Sequence, residues 1–120
     1  MNLLVDTNII IYHANGDQQL SRHLHGNRLF ISVITEMEVL SFSKMDNIEE
    51  QNLKKYLESV TIIGLSEQIK DEAIRLRRNN SIKLLDPIIA ATSNEYGLTF
   101  FTADSDFRKI ENFNFALYEH

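Results

Sequence analysis

The chain has 120 residues, of which 43% are hydrophobic and 24% charged, with a net charge of −5 and no cysteine. That length supports one domain around one core, and the missing cysteine excludes disulfides, thiolate zinc sites and a cysteine nucleophile. No stretch reaches the roughly 20 apolar residues that span a bilayer, and no basic segment followed by an apolar core opens the chain as a secretory signal would.

The expectation is a cytoplasmic protein forming a single domain over residues 1–120. Its first stretch, LLVDTNIII, starts with Leu3, Leu4 and Val5, apolar without alternation, as in a parallel strand buried on both faces. Asp6 then stands at the carboxyl end of that strand and at the start of a helix, the edge at which open α/β sheets bind ligands. Taken alone, such a junction reads first as Asp6 or Thr7 capping the next helix. A short helix over 9–13 ends at Asn15-Gly16, and a second, about 18–25, stops at Gly26. A strand over 29–32 leads into a helix over 33–45. Another helix follows over 47–58, with Leu53 and Leu57 four apart, and then a strand over 60–63 closed by Gly64.

Ser66 with Glu67 opens a long helix to about residue 80, its buried stripe being Ile69, Ala73 and Leu76. Asp86 as N-cap and Pro87 as first helical residue open the next helix, which ends at Gly97. A strand over 99–102, a turn of helix over 104–110 and a strand over 115–118 complete the chain. The order of strands and helices predicts an α/β fold with a parallel sheet between helical layers.

Four acidic positions carry possible chemistry. Besides Asp6 these are Glu38, Asp86 and the pair Asp104 and Asp106 in FFTADSDF, which repeats the strand-end geometry of Asp6. At 100° per residue Glu38 shares an arc with Ile34, Ser41, Phe42 and Met45, whereas Glu36 lies nearly opposite, on the solvent side. An inward carboxylate needs a paired cation, either a lysine or arginine or a metal ion. Asp86 is fully accounted for as a cap, and an Asp-rich turn accounts for Asp104 and Asp106. Taken together, strand-end aspartates and an inward glutamate make a hard oxygen site suited to Mg²⁺ or Mn²⁺. In a nuclease such a site activates water and stabilises the leaving oxygen.

Other chemistries fit worse. A phosphoaspartyl phosphatase needs a second aspartate where Asn8 stands, no glycine-rich phosphate cradle occurs, and His23 and His25 face different sides of a helix. The negative net charge opposes a phosphate backbone unless clustered carboxylates hold divalent cations. The basic cluster is Arg75, Arg77 and Arg78 with Lys83 beyond. It reads as a solvated face beside Glu67, Asp71 and Glu72, or as a contact for RNA or an acidic partner segment.

LLVDTNIII, ISVITEMEVL, LLDPIIAATSNEYGL and TFFTADSDF, in that order over nearly the whole chain, resemble a PIN domain of the VapC-type toxin ribonucleases. The resemblance implies a three-layer α/β/α fold with a five-stranded parallel sheet. It implies that Asp6, Glu38, Asp86 and the Asp104/Asp106 pair form the acidic site, Asp104 being nearer the metal, with Thr7, Asn8 and Ser32 in support. It also implies Mg²⁺- or Mn²⁺-dependent RNA cleavage, a homodimer and a cognate antitoxin. Ala103 departs from the basic or amide residue common there, which leaves the fourth acid open between Asp104 and Asp106. The alternatives are a PIN-like module that binds RNA or protein without cutting, and a housekeeping RNA-processing nuclease without an antitoxin.

Overall fold

The computed structural model describes residues 1–119. Its elements are β1 (Asn2–Val5), α1 (Thr7–Ala14), α2 (Gln18–Leu24), β2 (Arg28–Ser32), α3 (Val33–Leu40) and α4 (Asn47–Glu58). They continue as β3 (Thr61–Ile63), α5 (Glu67–Asn79), α6 (Leu85–Tyr96), β4 (Thr99–Thr102), a 3₁₀ turn (Ser105–Lys109) and β5 (Phe115–Leu117). The strands form one sheet in the order β3-β2-β1-β4-β5, with every neighbouring pair parallel. The expected strand count, direction and helical layering are all present.

The apolar run Leu3 to Val5 lies in the central strand and is buried on both sides, because successive side chains of a strand point to opposite faces. Leu3 and Val5 pack with Ile9, Ile10, Leu20, Leu53 and Leu57, so α1, α2 and α4 cover one face. Leu4 and Phe100 pack with Ile69, Ala73, Leu76, Ile89 and Ala90, so α5 and α6 cover the other. From β1 the chain steps outward through β2 to β3, then crosses back to place β4 on the other side of β1. The carboxyl ends of β1 and β4 therefore flank a topological switch point, where a crevice opens above the sheet.

Local chemistry sets the element ends. Asp17, Asp46 and Ser66 cap α2, α4 and α5 by accepting hydrogen bonds from the first-turn N–H groups of Leu20, Glu49 and Ile69. Gly97 closes α6 at φ 64°, a left-handed conformation that glycine adopts without strain from a Cβ.

Two expectations need correction. α3 stops at Leu40, not at residue 45, because Ser41 ends it: the Ser41 hydroxyl donates to the Met37 carbonyl and its N–H to the Glu38 carbonyl. Asp86 is not the cap of α6. The helix starts at Leu85 with Leu84 before it and no side-chain cap, so Asp86 lies within the first turn. Proline fits anywhere in that turn, whose N–H groups have no partner inside the helix, and so Pro87 does not fix its predecessor as cap. Among the described residues no helix is long and apolar enough to cross a membrane.

Candidate active site

Asp6 leaves β1 in extended conformation and caps α1, its Oδ1 accepting from the N–H of Thr7 at 2.7 Å. Its Oδ2 accepts from the hydroxyl of Thr102 at the end of β4, and the same Thr102 Oγ1 accepts from the N–H of Asp104 at 2.9 Å. The backbone joins the same two strand ends, since the Asp6 N–H donates to the Phe101 carbonyl at 3.1 Å. Thr102 is fully buried. It thus ties together two acids that lie 98 positions apart in the chain.

Above these strand ends lies a cleft of about 600 Å³ lined by Asp6, Glu38, Asp86 and Asp104, with Asn8 and Lys83 at its walls. The four acids come from β1, α3, α6 and the turn after β4. The Asp6 carboxyl is pushed above its ordinary range by burial and, to a lesser extent, by the charge of Asp104, while its hydrogen bonds to Thr102 and Thr7 hold it down. Asp86 is raised by burial and then by Asp104, with Lys83 opposing and Asp6 and Asp106 adding to the rise. These carboxylates therefore sense one another's charge. Burial is the larger cause at both aspartates.

Glu38 reaches the cleft, but it is exposed, not inward-facing as the helical arc suggested. With α3 ending at Leu40, its buried stripe is Thr35 and Val39. At 100° per residue Glu36 and Glu38 flank that stripe on opposite sides, each roughly 80° from its middle. The Glu38 flank meets α1, where Glu38 accepts from the Thr7 hydroxyl at 3.3 Å. Glu36 is half-buried rather than solvated.

Asp106 lines not this cleft but a polar pocket beside it, and its N–H donates to Asp104 Oδ1 at 2.9 Å. Ser32 is buried and caps α3 through the Ile34 N–H, so its bearing on the cleft runs through the helix that carries Glu38. The basic cluster splits. Arg75 is ion-paired with Glu72, Arg77 and Arg78 line an apolar groove between α5 and α6, and Arg77 also reaches the polar pocket with Lys83. Thr102 escaped the sequence reading, although a threonine ending an apolar strand two residues before an aspartate was a usable signal.

The PIN domain family model matches residues 3–112. The chain belongs to the PIN domain family. Solved structures similar to this PIN domain include a toxin-antitoxin complex from Klebsiella pneumoniae. That match has 32% identity and a TM-score of 0.80, and covers all of both chains. VapBC2 from Rickettsia felis, bound to a DNA fragment from its promoter, matches at 23% identity with a TM-score of 0.87, over 99% of this chain and all of that one. DNA-bound VapBC from Salmonella typhimurium matches at 18% identity and TM-score 0.78 over 97% of each chain. No curated protein sequence matches this PIN domain.

The donor set suits a hard divalent cation, being entirely carboxylate oxygen with one amide nearby. Among the described residues, no three His, Asp or Glu side chains are drawn together closely enough to hold a metal by themselves. Mg²⁺ does not require that. It usually keeps several waters and takes one or two carboxylates, with substrate phosphates completing its shell.

Proposed function

We propose that this PIN domain is a metal-dependent endoribonuclease and the toxin of a toxin-antitoxin pair. The observation that carries the reading is the convergence of Asp6, Glu38, Asp86 and Asp104, from four separate elements, on one cleft at the switch point of the sheet. The likeness to VapBC and toxin-antitoxin complexes supports an antitoxin as partner. A homodimer is the expected assembly.

Asp6, Asp86 and Asp104 would hold Mg²⁺ or Mn²⁺. When bound, such an ion polarises a phosphoryl oxygen and makes water a better nucleophile. The protein contributes orientation and proton handling. Hydrogen bonds from Thr7 N and Thr102 Oγ1 fix both oxygens of Asp6 before substrate arrives, so little reorganisation is left for the reaction. The Glu38 carboxylate, exposed and lining the cleft, would take the proton from a water attacking phosphorus in line. Lys83 sets a positive charge beside Asp86 at the edge of the cleft.

A PIN domain that binds without cutting is favoured by one observation, the lack of a tight three-residue metal group among the described residues. Incubation with a pool of cellular RNA separates the readings. Cleavage is expected with Mn²⁺ or Mg²⁺, abolished by excess chelator and restored by adding the metal back. Full cleavage in chelator would overturn the metal-dependent mechanism, and binding of RNA without cleavage under every metal condition would establish the non-catalytic reading.

A further inference from the structure

The polar pocket next to the acidic cleft, about 540 Å³, is lined by Arg77, Asn80, Lys83, Asp86, Asp106 and Lys109 among others. Three cations converge there from different parts of the chain: Arg77 from the last turn of α5, Lys83 from the α5–α6 connection and Lys109 from the end of the 3₁₀ turn. Arg77 alone would be explained by the negative end of the helix dipole. Lys109 ends the short 3₁₀ turn, and Lys83 lies on no helix end.

The ion pairs of the described residues are Lys54–Glu50, Lys70–Glu67 and Arg75–Glu72, so none of the three converging cations is engaged within 4.0 Å. All three are exposed. The pocket also shares Lys83 and Asp86 with the acidic cleft, making the two one continuous surface. Asn80 donates its amide N–H to the Leu76 carbonyl, and Asp86 and Asp106 line the same pocket, so three cations face two carboxylates there.

We infer that this pocket is a second phosphate subsite, in which Arg77, Lys83 and Lys109 hold the RNA phosphate adjoining the one cleaved in the acidic cleft. The inference rests on the nuclease reading above. Continuity with that cleft favours a nucleic-acid strand over an acidic protein segment as occupant. The subsite would give a molecule of net charge −5 a local foothold for a polyanion, and it would bind backbone without selecting sequence.

The test uses a random-sequence, 5′-fluorescent ten-nucleotide RNA in chelator, with anisotropy giving Kd across a salt series, and a parallel cleavage assay in Mn²⁺. Arg77→Gln, Lys83→Gln and Lys109→Gln should each raise Kd about three- to tenfold and lower the slope of log Kd against log salt by about 0.7. Lys55→Gln, on α4 across the sheet, should change neither. If wild type cleaves RNA and the three variants bind it like wild type, the subsite is refuted while the nuclease reading stands. If wild type neither binds nor cleaves RNA, both fall. If polyglutamate displaces the RNA at equal concentration, and the same variants lose polyglutamate binding to the same extent, the pocket serves an acidic protein and the RNA assignment is wrong.

Discussion

Thr102 illustrates how one hydroxyl can organise a charged cleft. Its hydrogen goes to Asp6 and its lone pair receives the Asp104 N–H, all in a buried position. Thr102→Val keeps the shape and removes both bonds, so it should cost about 1 to 3 kcal/mol of stability and reduce cleavage at least tenfold. Thr102→Ser should recover most of both. Denaturant unfolding and initial rates check this, and a valine variant with wild-type rates would show that Asp6 needs no such anchor. Asp86 allows a prediction about pH. Its folded carboxyl is raised above the ordinary value of 3.8, so its contribution to stability is full below that value and is lost as pH rises through the folded value. Asp86→Asn should therefore raise the metal-free Tm at pH 7, by about 1 to 4 °C, and leave it unchanged at pH 3. A fall in Tm at pH 7 would instead mean that the carboxylate stabilises α6 as a cap does.

At the scale of elements, α3 decides which glutamate enters the cleft. Glu38→Gln should lower cleavage by orders of magnitude with little change in unfolding midpoint, because an exposed side chain leaves no buried partner uncompensated. Glu36→Gln should leave cleavage intact, and equal losses in both variants would remove the distinction. Ser32→Ala takes the cap from α3 and should cost about 0.5 to 2 kcal/mol, with a smaller loss of cleavage than Glu38→Gln causes. The sheet was legible because Leu3 to Val5 and Phe100 declare burial by composition, and the glycines and capping residues punctuate the helices. Side-chain destinations at helix ends were less so. The arc drawn for Glu38 extended α3 through Ser41, whose hydroxyl turns back on the helix, and the cap assigned to Asp86 depended on a helix start at Pro87, two residues after the observed start at Leu85. Lys109 could not be joined to Arg77 from sequence, since their meeting depends on where the 3₁₀ turn falls beside α5.

For the whole molecule, charge and connectivity matter together. Carboxylates must be ionised to hold a cation, so Mn²⁺ should raise Tm more at pH 8 than at pH 5; at a hundred times its Kd the gain is about 2.7 kcal/mol. That gain should shrink in Asp86→Asn, and an equal Mn²⁺ shift in the variant would place the ion elsewhere. The bond between Asp6 and Thr102 spans 96 residues. At about 5 to 20 residues per second of synthesis, the aspartate waits roughly 5 to 20 s for the threonine that fixes it. A growing chain therefore carries its first acid without the strand that completes the cleft, and under the proposed nuclease reading a ribosome making this protein would meet no working site until β4 has been translated. Chains arrested before residue 99 should be inert towards RNA in a translation extract, and cleavage by such a fragment would show that the cleft assembles without β4.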